Sequence, residues 1–147
     1  MDKIYCRNLK EYKYQLMSDY RYQTAIKVKK DVIINGFIIL SSLGLLTISK
    51  GYAWDGPSGP TFDTLNFMRG SLIHDALYQL MREGLLDHRQ HRGTADQILH
   101  DTCRADGMSR LRAWIVLKGL TLFGSISANP KLKKPSIWAP KTPKQYY

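Results

Sequence analysis

A chain of 147 residues, 44% hydrophobic and 11% aromatic, is enough for one domain around one core and excludes a disordered polymer. Its 22 Lys and Arg against 12 Asp and Glu give a formal charge of +10, which favours anionic partners without choosing among nucleic acid, membrane and acidic protein. Two cysteines, Cys6 and Cys103, make neither a disulfide framework nor a CxxC metal pattern, and they read as reduced thiols.

The opening Met1-Asp2-Lys3-Ile4-Tyr5 lacks the basic-then-apolar plan of a signal peptide. Residues 1–53 read as strands that build an antiparallel β-meander. Tyr12, Tyr14 and Leu16 alternate with Lys13 and Gln15, the pattern of a half-buried strand. Further strands are predicted over residues 20–28, 32–40 and 45–50. The uncharged stretch 32–49 is long enough to raise the question of a membrane helix. Asn35-Gly36 argues against it, because that dipeptide marks a hairpin between two β-branched runs. A loop rich in Gly and Pro follows over 51–60, and residues 54–64 are expected to have no regular structure.

The hydrophobic period then changes. Leu65, Met68, Leu72, Ile73, Leu77 and Leu80 share one face of a helix over about 66–82, with Thr64 as its cap and Gly84 at its end. Residues 87–93 read as a polar connection. Thr94 is expected to cap a second helix over 95–106, closed by Gly107. Ser109 opens a third helix to about Phe123, whose Trp114, Leu117, Leu120, Leu122 and Phe123 are expected in the core; the alternative, if part of the set is exposed beside Lys118, is an interfacial membrane contact. Residues 129–147, with four prolines and five lysines, form a basic tail beyond a single α+β domain over 1–128.

The chemistry centres on His74. If the first two helices run antiparallel, Asp96 reaches its ring, and Tyr78 shares the His74 face one turn on. A carboxylate on one imidazole nitrogen fixes the tautomer and leaves the other as a base. Backbone carbonyls around Gly56 and Gly59, with the Asp75 carboxylate and water, would suit Ca²⁺, a hard cation that wants six to eight oxygens. His-Asp phosphohydrolase chemistry needs a further His upstream, and the histidines here are 74, 88, 91 and 100. Zinc spacing is also lacking.

The run Gly56-Pro57-Ser58-Gly59-Pro60, then His74-Asp75-Ala76-Leu77-Tyr78, then Ala95-Asp96, resembles the phospholipase A2 superfamily, above all its compact viral-capsid branch. The resemblance spans about residues 54–123 and implies a three-helix unit with His74 as base, Asp96 as its partner and Tyr78 as support. It also implies calcium held by Asp75 with loop carbonyls of Trp54, Gly56 and Gly59. The disulfides of secreted members are missing here. The longer stretch 12–123 resembles an uncharacterised family of tailed-phage and prophage proteins, domain of unknown function 1353, and this implies a phage origin. Together these imply a calcium-dependent hydrolase of acyl esters that meets phospholipid or a membrane surface, placed in the host bacterial cytoplasm or the virion. The alternative is a structural or interaction protein of the particle, in its tail or head, with virion proteins as partners. No motif supports nucleic-acid binding.

Overall fold

The computed structural model describes residues 3–8, 14–34, 36–56 and 64–132. It has the expected α+β order, antiparallel strands first and three helices after. The strands divide into two sheets. Strands β1 (Cys6–Asn8), β2 (Tyr14–Leu16) and β7 (Ala53–Trp54) form the first, in the order β1-β2-β7. Strands β3 (Tyr20–Gln23), β4 (Val32–Ile34), β5 (Ile38–Leu40) and β6 (Leu45–Ile48) form the second, in the order β3-β6-β5-β4.

The meander therefore covers β4 to β6, and β3 adds beside β6. The Asn35-Gly36 signal gives the expected hairpin, with Ile34 opposite Ile38. The uncharged 32–49 stretch is thus three short strands and not a helix. Period-2 burial runs through it, with Ile38, Leu40, Leu46 and Ile48 fully buried on the core side. Two residues expected in an irregular loop, Ala53 and Trp54, pair instead with Gln15 and Tyr14. Long-range pairing with β2 overrides the local Gly and Pro signal around them.

Helix α1 (Leu65–Arg82) carries Leu72, Ile73, Ala76, Leu77 and Leu80 at zero exposure in one apolar cluster with buried residues of both sheets, whereas Leu65, expected on that face, is 93% exposed in its first turn. It ends where the sequence predicts. Gly84 takes φ +72, its N–H bonds the Met81 carbonyl, and Leu85 N–H bonds the Leu80 carbonyl. Gly107 closes α2 in the same two-bond pattern, onto Arg104 and Cys103. A left-handed residue at this point captures two orphan carbonyls, and glycine takes it without a Cβ penalty.

The start of α2 differs from expectation. The helix spans His88–Ala105, so residues 88–93 are its first turns and Thr94 lies inside it. Asp87 is the cap, its carboxylate accepting from Arg89 N–H at 2.8 Å. Thr64 stands at the α1 N-cap position but makes no capping bond, because its hydroxyl donates to Asn66 Oδ1 and accepts from Arg112. Helix α3 (Arg110–Ala128) is capped by Ser109 and is followed by a short 3-10 turn, Pro130–Leu132. The remaining tail, 133–147, lies outside the described residues.

A second apolar cluster, Phe67, Leu99, Cys103, Met108, Ala113 and Val116, sits among the three helices. Arg69 clasps Asp106 through two bonds of 3.0 and 2.7 Å, tying the start of α1 to the end of α2. That pairing fixes the two helices as antiparallel neighbours. Helix α3 departs from the expected core packing. Ala113, Val116, Gly124 and Ala128 are buried, but Trp114, Leu122 and Phe123 are 53%, 71% and 68% exposed. Leu117 and Leu120 are partly buried. It is also the one helix among the described residues long and apolar enough to cross a membrane by length and composition.

Candidate active site

Helices α1 and α2 approach closely because Gly70 faces the second helix. A Cβ there would stand 2.7 Å from Cys103 Sγ and 3.2 Å from the Leu99 carbonyl oxygen. One turn on, at the same helix-to-helix contact, His74 Nε2 lies 2.9 Å from Asp96 Oδ1. The Tyr78 hydroxyl donates to that same oxygen at 2.6 Å. Imidazole and phenol rings lie 4.0 Å apart between centroids. The three side chains expected from sequence to meet do meet, and all are buried: His74 is 5% exposed, Asp96 3% and Tyr78 2%.

The hydrogen bonds assign the proton. An ionised carboxylate only accepts, so Nε2–H donates to Asp96 and a neutral His74 carries its lone pair on Nδ1. Nδ1 faces the neighbouring carboxylate, with Asp75 Oδ1 at 3.8 Å, beyond hydrogen-bond length. Burial pulls the imidazole pKa down, but the Asp75 and Asp96 carboxylates outweigh it, so His74 stands above its usual 6.5. Burial first, and then the Asp96 carboxylate, push the Tyr78 phenol above its ordinary range, so it stays protonated as a donor.

Three supports were not evident from sequence spacing. Arg92, one turn before Asp96, brings Nη1 within 3.6 Å of Asp96 Oδ2 and also donates to the Leu120 carbonyl of α3 at 3.1 Å. Gly124 of α3 lies directly against Tyr78, and a Cβ there would fall 2.5 Å from the phenol oxygen. Trp54 is 2% exposed and its indole N–H donates to Ser71 Oγ at 3.2 Å, pinning β7 to α1 three residues before His74. A sequence signal existed only for Arg92, as an i,i+4 partner of Asp96.

No family model, curated protein or solved structure matches this chain.

The resemblance in sequence implies calcium, so the donors present must be weighed against it. Asp75 has a side chain 32% exposed, and among the described residues its nearest charged partner is the imidazole 3.8 Å away, so its carboxylate has oxygens to offer. Gly56 holds φ +70 with its backbone against the Tyr14 ring. Trp54 is tied into the first sheet, and Gly59 lies outside the described residues. Among the described residues no group of three or more His, Cys, Asp or Glu is placed to hold a metal. A site of one carboxylate plus carbonyls and water does not need such a group. Asp75 fits that chemistry, and residues 57–63 of the loop lie outside the described residues.

The remaining histidines all lie on α2. His100 bonds Asp101 at 2.8 Å and Gln97 at 3.3 Å on an outer face of α2. His88 and His91 are partly buried in its opening turns. Cys6 and Cys103 are both free thiols.

Proposed function

We propose that this chain is a phage-encoded hydrolase of acyl esters, related in mechanism to phospholipase A2, with His74 as its general base. The supporting observation is the division of labour on one imidazole. Nε2 is fixed by Asp96, itself held by Tyr78, while among the described residues Nδ1 makes no hydrogen bond of normal length. In the proposed reaction Nδ1 takes a proton from water, and the hydroxide attacks the ester carbonyl carbon. The tetrahedral intermediate collapses as the same proton passes from Nδ1 to the departing alkoxide oxygen, leaving a carboxylic acid and an alcohol. Asp96 steadies the imidazolium, and Tyr78 holds the Asp96 carboxylate in line. Asp75, with backbone carbonyls of Trp54, Gly56 and Gly59, would hold Ca²⁺, whose charge would stabilise the oxyanion when bound.

Release of fatty acid from phospholipid vesicles, with calcium and with chelator, tests this reading. His74→Ala and Asp96→Asn should each cut the rate by roughly 10²-fold or more, the range of general-base effects. No release by folded wild-type protein overturns the hydrolase. Release that chelator leaves unchanged overturns the calcium site alone.

A second reading is favoured by the low exposure of the three side chains. His74, Asp96 and Tyr78 would then be a satisfied polar network locking two helices of a structural protein in the phage particle, in its tail or head. Phage origin rests on the sequence resemblance. Mass spectrometry of purified virions separates the two, since a chain missing from particles is no virion component.

A further inference from the structure

Helix α3 has two faces of opposite fate. Ala113, Val116, Gly124 and Ala128 point to the body of the protein and are buried. On the other side Leu111, Trp114, Ile115, Leu122 and Ile126 are 53% to 71% exposed. At 100° per residue, positions 111, 115, 122 and 126 fall within one sector, with Trp114 on its flank. The stripe from Leu111 to Ile126 runs for about 22 Å at 1.5 Å per residue. Isolated exposed apolar residues are ordinary, but a continuous stripe of this length marks a contact surface.

The charge of this helix and of the sequence that follows it indicates what covers the stripe. After Asp106 the sequence holds eight Lys and Arg and no Asp or Glu. Helix α3 itself contributes Arg110 and Lys118, while Arg112 turns inward to Thr64 and the Phe67 ring. Lys118 sits in the middle of the apolar stripe, with its ammonium 5.8 Å from the Trp114 ring centroid. A lysine there lays its stem along the apolar face and lifts its charge to a headgroup plane, beside an indole suited to the same depth. A second copy meeting this face would bring cation against cation. A membrane crossing would strip α3 from α1 and α2 and break the Arg112 bond to Thr64 and the Arg92 bond to the Leu120 carbonyl.

We infer that the outward face of α3 is a lipid-docking surface, which lies in the headgroup boundary of an anionic phospholipid bilayer. This inference stands whether or not His74 is catalytic.

The experiment is co-sedimentation of the full chain with vesicles of equimolar phosphatidylglycerol and phosphatidylcholine, and with vesicles of phosphatidylcholine alone. Binding is expected to the anionic vesicles, weakened by salt and released by an alkaline carbonate wash. Leu122→Asp and Ile115→Asp should each weaken binding more than about tenfold, through lost apolar burial. Lys118→Glu should weaken it at least about fivefold, as one basic residue near an anionic surface is worth about 1 kcal/mol. These side chains are exposed, so thermal melts of the variants should match wild type. Vesicle binding unchanged by both aspartate variants overturns the proposal and assigns binding to other lysines. Retention after carbonate overturns it in favour of a spanning helix. A lipid-free dimer that Leu122→Asp dissociates, with no vesicle binding, overturns it in favour of a second copy.

Discussion

Substituting Gly124 by alanine should change sign depending on what stands at position 78. In a helix interior this change ordinarily gains about 1 kcal/mol. Here the new Cβ would lie 2.5 Å from the Tyr78 oxygen, so the phenol must leave Asp96. Loss of a hydrogen bond to a charged group costs about 1.5–3 kcal/mol, so Gly124→Ala should be destabilising by roughly 1 kcal/mol. Without the phenol oxygen, the nearest ring atom is Cζ at 3.5 Å, an ordinary contact, and Arg92 Nη1 at 3.4 Å is the far end of a long side chain. In a Tyr78→Phe background the same Gly124→Ala change should therefore stabilise by about 1 kcal/mol. Urea unfolding of the four proteins gives the coupling directly, expected near 2 kcal/mol. A coupling below about 0.5 kcal/mol, with Gly124→Ala stabilising in both backgrounds, refutes the claim that α3 closes on the Tyr78–Asp96 bond.

Three other outcomes are expected. In chelator, Asp75→Asn should lower the His74 pKa, read from its imidazole resonances, because one of the two carboxylates that raise it is removed while burial still opposes it. By linkage, wild-type His74 adds stability that is fully present below its unfolded pKa of about 6.5 and fades as pH rises through the higher folded value. That slope should shrink in Asp75→Asn. Burial, with Asp106 adding to it, raises the Cys103 thiol to about 12, so a thiol reagent at mild alkaline pH should label Cys6 first and reach Cys103 only on unfolding. Equal labelling rates in the native protein would contradict the packing between α1 and α2. Asp106→Asn should cost roughly 1–3 kcal/mol in denaturant melts, since it breaks a two-bond ion pair with Arg69 that is only 13% and 11% exposed.

The sequence was most informative where a signal was local and chemically forced. Gly84 and Gly107 end their helices as predicted because few residues take their φ values. Asn35-Gly36 placed a hairpin within a stretch that composition alone would allow to be a membrane helix. The His74–Asp96 contact was legible because a short connection leaves antiparallel helices side by side. The true beginning of α2 was not, since Gly93 and a run of polar residues read as a connection, while Asp87 supplied a cap further upstream. Division of the strands into two sheets was hidden too, because β7 finds its partner β2 far back in the chain. Gly70 and Gly124 carry no sequence signal, as their importance lies in what another helix places opposite them. The outward face of α3 was misread for a related reason. Its apolar residues occupy both sides of the helix, and a sequence period does not say which side meets protein.

Arg92 gives the molecule an electrostatic link. One guanidinium nitrogen both grips a carbonyl in the third helix and lies near the outer oxygen of the buried carboxylate. The charge that faces the buried carboxylate is thus anchored by a backbone oxygen of a different helix, so the third helix belongs to the electrostatic surroundings of Asp96 without touching it.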